Sequence, residues 1–172
     1  MVRTFARTGI LLAHMIGSPA FAFNNPLNRG PLADFLNLFR EQAIPRRVVA
    51  WQRGFAPGTV VISTNERRLY YVLGDGKAIQ YGVGVGREAF TWSGTKTVTM
   101  KREWPDWTPP LQMLKRRPDL PRHMPGGMDN PLGARAIYLG SSLYRIHGSN
   151  EPNTIGAAVS SGCIRMTNQD IV

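Results

Sequence analysis

The stretch Tyr81-Gly82-Val83-Gly84-Val85-Gly86 places a glycine at every second position of a β-branched run. Glycines that close together cost a helix about 1 kcal/mol each relative to alanine, so the segment does not read as helix. In a strand, alternate residues share a face, so Gly82, Gly84 and Gly86 all point one way. A face without side chains permits close backbone approach or a bend, as in a curled sheet. The spacing is wrong for a dinucleotide fingerprint, and residues 90–94 (FTWSG) open no helix after it. Upstream the same period of two continues. Residues 59–63 (TVVIS) and 68–73 (RLYYVL) read as strands, the second with Leu69, Tyr71 and Leu73 on one face. Asp75-Gly76 supplies a two-residue hairpin turn, and residues 77–86 return as the partner strand.

Further strands are expected at residues 97–104, 136–139, 143–147 and 164–166. Residues 105–131 hold many prolines and glycines with little periodicity, which suits a lid or binding loop. Residues 31–43 (PLADFLNLFREQA) carry the helical spacing Leu32, Phe35, Leu36, Phe39 between Pro31 and Pro45. The chain around them is linker-like up to about Pro57. Thr167-Asn168-Gln169-Asp170 resembles a helix-starting capping box, yet the sequence stops at Val172, which suggests truncation. With 18 glycines and 13 prolines in 172 residues and no Gly-X-Y period, the expected fold is mostly β with minor α, a curled β-sandwich or barrel-like domain.

Residues 1–22 read as a secretory signal: Arg3 and Arg7, the apolar run 9–17 (GILLAHMIG), then Ala20-Phe21-Ala22 for cleavage. The expected organisation is therefore a signal at 1–22, an extension with a short helix and linker at 23–57, and one domain at 58–172. Removing the signal takes away two arginines and no acid, so the net charge of +10 becomes +8. An anionic partner is implied. Seven basic and three acidic residues between Lys96 and Arg122 add to it, although a solvated loop carries such charge too. Trp51, Trp92, Trp104 and Trp107 suit a core better than base stacking, and nucleic acid is not the expected partner. No apolar run approaches the ~18 residues of a transmembrane helix.

The single cysteine, Cys163, excludes an internal disulfide framework and lies in Ser160-Ser161-Gly162-Cys163-Ile164-Arg165. A buried structural cysteine is one reading. Against it, an exported chain seldom keeps an unused thiol, and Ser-Ser-Gly is turn chemistry that exposes N–H groups. Arg165 falls on the same side of a strand as Cys163, where a cation favours the thiolate. Backbone N–H groups at Gly162 and Cys163 could hold an oxyanion. For a base, His14 leaves with the signal and His123 lies in the Pro-rich segment. His147 ends a strand before Gly148, so His147 and Cys163 form the expected dyad. Two histidines and one cysteine lack any zinc spacing, and no metal or cofactor is expected.

His147-Gly148, Gly156 and Ser160-x-Gly162-Cys163-Ile164-Arg165-Met166 together resemble the catalytic signature of the L,D-transpeptidase family. Residues 56–60 (APGTV), 81–86 (YGVGVG) and 130–135 (NPLGAR) match as well, so the resemblance spans about Phe55 to Val172. It implies a mostly β domain that remodels peptidoglycan stem peptides in the periplasm or cell envelope. In the family, the cysteine attacks the carbonyl at the L-centre of a diamino acid in a tetrapeptide stem. D-alanine leaves, a thioester forms, and an amine on a second stem or an envelope protein resolves it. Carried over, Cys163 is the nucleophile and His147 the base, with the Gly148 carbonyl orienting the imidazole. Gly162 and Cys163 N–H groups hold the oxyanion, and Arg165 supports the site or binds a substrate carboxylate. The chain departs from the family at Ser161, where most members have histidine. A hydrolase using water, and a non-catalytic peptidoglycan-binding relative, are the competing readings.

Overall fold

The computed structural model describes residues 44–172. The signal read at 1–22 and the helix read at 31–43 lie outside the described residues. Among the described residues the strands are β1 (Arg47–Ala50), β2 (Val60–Ser63), β3 (Arg68–Gly74), β4 (Lys77–Gly82), β5 (Val85–Gly86), β6 (Val98–Glu103), β7 (Arg135–Leu139), β8 (Arg145–His147), β9 (Ala158–Ser160) and β10 (Ile164–Arg165). The helices are short: α1 (Leu111–Arg116) and α2 (Asn168–Ile171).

One antiparallel sheet has the order β1-β4-β3-β2. A second has the order β10-β8-β7-β6, antiparallel except where β8 and β10 run parallel. β5 and β9 form a small parallel pair. The fold is mostly β, as expected, and its sheets pack as a sandwich rather than closing into a barrel. The core draws on both sheets: Leu69 of β3, Val85 of β5, Leu139 of β7, Ile146 of β8 and Ile164 of β10, with Val83 and Met166. Burial of such side chains contributes roughly 1.5–3 kcal/mol each, so this layer fixes how the sheets face each other.

The hairpin turn forms as read, with Asp75 at φ 48° and Gly76 at φ 66°, the left-handed pair that matches strand twist. Two readings change. The strand expected over 77–86 divides: β4 ends at Gly82, and β5 leaves its sheet to pair with β9. The buried face of β3 is also largely the opposite one. Tyr71 and Leu73 are 40% and 44% exposed, whereas Tyr70 and Val72 are buried with Trp51 and Ala78. The cause is β1, in the stretch read as linker. It pairs with β4 and brings Trp51 against Tyr70, ring centroids 5.1 Å apart. Sheet one is thereby covered on both faces, which alternation within β3 alone does not reveal.

The glycine run behaves as its spacing predicts. A Cβ on Gly84 would lie 2.9 Å from the Thr154 carbonyl oxygen. One on Gly86 would lie 2.8 Å from the Phe90 carbonyl oxygen and 3.1 Å from Gly162 Cα. Residues 105–131 stay mostly irregular apart from α1. Buried Asn130 pins them, its amide donating to the carbonyls of Pro105 (3.1 Å), Met124 (3.3 Å) and Pro125 (2.9 Å).

Candidate active site

β8 and β10 lie side by side with Ile164 opposite Ile146 and Arg165 opposite His147. Ile146 and Ile164 both point into the core. Alternation turns Arg145, His147, Cys163 and Arg165 to the other face of the sheet. β7 continues the rows, with Tyr138 opposite Arg145 and Ala136 opposite His147. Cys163 and His147 are therefore diagonal neighbours on one face.

His147 is buried, and its Nδ1 lies 2.6 Å from the Gly148 carbonyl oxygen. A carbonyl can only accept, so Nδ1 carries the hydrogen and Nε2 keeps its lone pair. Burial disfavours the imidazolium and lowers the pKa from the ordinary 6.5 to about 4; the Gly148 bond opposes this, and the charges of Arg165 and Arg145 add to it. The Gly148 carbonyl is itself held in place. Gly148 N–H donates to the Arg135 carbonyl (2.9 Å), and Met166 N–H to the His147 carbonyl (2.8 Å). Asn168 Oδ1 accepts from the N–H groups of Ala134 (2.9 Å) and Ser149 (3.2 Å) and occupies the space a Cβ on Gly148 would need.

The turn before the cysteine is clamped from three sides. Ser160 Oγ donates to the Cys163 carbonyl (2.6 Å) and accepts from Gly162 N–H (3.1 Å). Gly162 adopts φ 107°, a conformation that glycine takes freely. Trp92 Nε1–H donates to the Gly162 carbonyl at 2.8 Å. Tyr144 stacks on Trp92 at 5.0 Å and sits where a Cβ on Gly162 would be. Half-buried Ser161 lies in this turn. Cys163 is a free, partly exposed thiol. Burial pushes its pKa up, partly offset by the Arg145 backbone N–H and by the charges of Arg145 and Arg165.

Arg165 is engaged: its Nη1 donates to Glu151 Oε2 (2.8 Å) and to Thr154 Oγ1 (3.4 Å). All six residues singled out in the sequence thus fall on one turn and two adjacent strands. Gly162 differs from expectation in one respect, because its N–H is spent on Ser160 Oγ. His123 is elsewhere, beside Asp106. Sequence reading assigned no role to Trp92, Tyr144, Asn168 or Arg145, and placed Ser160 in the signature without its clamping bonds. Of the first four, only Arg145 carried a local signal, two residues before His147 on the same strand face. Among the described residues no cluster of His, Cys, Asp and Glu could hold a metal ion. None of their helices is long and apolar enough to cross a membrane.

A family model described as the L,D-transpeptidase catalytic domain, YkuD, matches residues 57–172. The probable L,D-transpeptidase ErfK/SrfK of Escherichia coli K12 is 38% identical over 161 residues, covering 86% of this chain and 50% of that protein. The probable L,D-transpeptidase YbiS of the same strain is 39% identical over 121 residues, covering 65% of this chain and 39% of that protein. The chain spans about half or less of the length of these curated relatives. A crystal structure from Brucella melitensis superimposes with a TM-score of 0.58 at 38% identity, covering 78% of this chain and 88% of that one. It is described as a probable carnitine operon oxidoreductase, a name that concerns that protein. Fold, site geometry and the match over 57–172 agree: the chain belongs to the L,D-transpeptidase catalytic domain family.

Proposed function

We propose that this chain is a peptidoglycan L,D-transpeptidase working through a cysteine thioester. The observation that carries the reading is the fixed imidazole. His147 is buried, its Nδ1 is held by the Gly148 carbonyl, and extending the β8–β10 register by one residue puts it one diagonal from Cys163. Neutral near pH 7, it offers Nε2 as a proton acceptor. As Cys163 Sγ attacks the carbonyl carbon at the L-centre of the donor stem, Nε2 takes the thiol proton and the carbonyl oxygen becomes an oxyanion. Cys163 N–H is the donor assigned to that oxyanion, since Gly162 N–H already serves Ser160. Collapse reforms the carbonyl, breaks the peptide C–N bond and passes the proton from His147 to the departing D-alanine amine. An acceptor amine then attacks the thioester, the C–S bond breaks, and the thiol is regenerated. Arg165, held by Glu151, supports the strand rather than binding a substrate carboxylate.

The test is intact-mass analysis with purified tetrapeptide stems, with and without an acceptor amine. The expected result is a covalent adduct on wild-type protein, a transfer product when the amine is present, and neither in Cys163→Ala. Release of trimmed stems without transfer would assign a hydrolase, and binding without an adduct a non-catalytic relative. His147→Ala should slow acylation by roughly 10²- to 10⁴-fold, the usual worth of a positioned base.

A further inference from the structure

Three cations stand on the face that carries the dyad: Arg145 and Arg165 beside it, and Arg102 two strands away on exposed β6. Arg165 is paired with Glu151 at 2.8 Å. Arg145 is different. Among the described residues it has no carboxylate partner; its Nε, like that of Arg165, is buried without a hydrogen bond. Its guanidinium lies 4.9 Å from the centroid of the Tyr138 ring, across the β7–β8 ladder. Extending the β8–β10 register by one residue puts Arg145 directly beside Cys163, and its backbone N–H is directed at the thiol. A half-buried cation with no anion is costly, so the site is built to receive a negative charge. Before the proton is transferred, His147 supplies no compensating cation, since burial keeps it neutral down to about pH 4. Ser161 is neutral. The groups around the thiol are then Arg145 and His147 from β8, Arg165 with its partner Glu151, and Tyr138 beneath Arg145. On the neighbouring segment, Lys96 lies over Trp92, and Arg87 and Arg116 over Phe90. Of the carboxylates there, Glu151 is committed to Arg165, and Glu88 lies between Arg87 and Phe90 on the neighbouring segment.

We propose that Arg145 is a positioning residue that acts through Cys163: seated on Tyr138, its guanidinium is the counter-charge of the thiolate. The proposal rests on Cys163 being the nucleophile of the reading above, and it assigns a cation that is in place before His147 takes the proton. As the proton leaves for His147, the negative charge on sulfur develops beside a fixed positive group. Little rearrangement is then needed at the moment of attack.

Cys163 is the only cysteine of the chain, so alkylation by iodoacetamide reports this thiol alone. Its rate is measured against pH for wild type, Arg145→Gln and Arg145→Lys, with thermal unfolding of each as the check on folding. Removal of the charge should move the alkylation midpoint up by at least about one pH unit, a tenfold loss of rate below the midpoint. Arg145→Lys, which keeps the charge, should recover most of that shift. If Arg145→Gln does not fold, Arg145→Met, which keeps an apolar stem over Tyr138, takes its place. An unmoved midpoint in the neutral variant overturns the proposal, as does a lysine variant that shifts as far as glutamine. Stem-peptide turnover is measured separately. A wild-type protein with a charge-dependent midpoint but no thioester would sink the transpeptidase reading and leave the role of Arg145 toward the thiol standing.

Discussion

His147 is a base whose burial has two consequences at different pH values. For acylation, the acid limb of the rate profile should lie well below the ordinary imidazole range, because the ring stays neutral down to about pH 4. For stability, the folded chain resists a proton that the unfolded chain accepts near 6.5. The contribution is full above about pH 6.5, is lost progressively as pH falls to about 4, and amounts to about 3 kcal/mol. Urea unfolding of wild type and His147→Gln between pH 7.5 and 4 checks this: the gap between the two should narrow as pH falls. A constant gap would show that the imidazole is not held neutral. Ser161 invites the complementary test, since a histidine there would be a second imidazole near the sulfur. With Arg145 already beside the thiol, Ser161→His should change the acylation rate by less than about tenfold, or ~1.4 kcal/mol. A gain of several orders of magnitude would mean that the natural site is poorly activated.

At the scale of strands and turns, the glycine face of β5 holds the nucleophile turn where it is. A Cβ on Gly86 would meet both the Phe90 carbonyl oxygen and Gly162 Cα, both backbone, and neither can rotate away. Gly86→Ala should therefore cost about 1–3 kcal/mol by overpacking and slow acylation further by displacing Gly162. Gly54→Ala, where nothing lies within 4 Å of the added methyl, should leave both unchanged. Thermal unfolding and carbapenem acylation of the two variants decide it, and equal behaviour would refute the close-packing argument. The need for glycine at 82, 84 and 86 was legible in the sequence because it is a matter of alternation. So were the Asp75-Gly76 turn and the strands β8 and β10. What the glycines touch was not legible, since Thr154, Phe90 and Gly162 reach them through the tertiary fold. Trp92 shows the same limit: nothing near it in sequence announces a bond to a carbonyl 70 residues away. β3 misled for a related reason, because the partner that buries Tyr70 and Val72 is Trp51, in a segment that read as linker.

For the molecule as a whole, a net charge of +10 and the basic groups around the dyad suit a polymer rich in carboxylates. Binding to insoluble peptidoglycan should weaken as salt rises past physiological strength, and an affinity indifferent to salt would exclude this contribution. Export is proposed with cleavage after Ala22, so N-terminal sequencing of secreted material should begin at Phe23; a cytoplasmic protein retaining Met1 would contradict it. A last consequence comes from β10. Arg165 exchanges both backbone bonds with Gly84, at 2.8 and 2.9 Å, while its other edge lies against His147. This strand is the seam where chain segments remote in sequence finally meet, and contacts of that kind form late, because the loops between them must close first. The order of events during folding then becomes a safeguard. Until the seam closes, Cys163 has neither Arg145 nor His147 beside it, so a half-folded chain lacks the base and the counter-charge of the proposed mechanism. Pulsed alkylation during refolding would follow the change in this thiol as the seam closes.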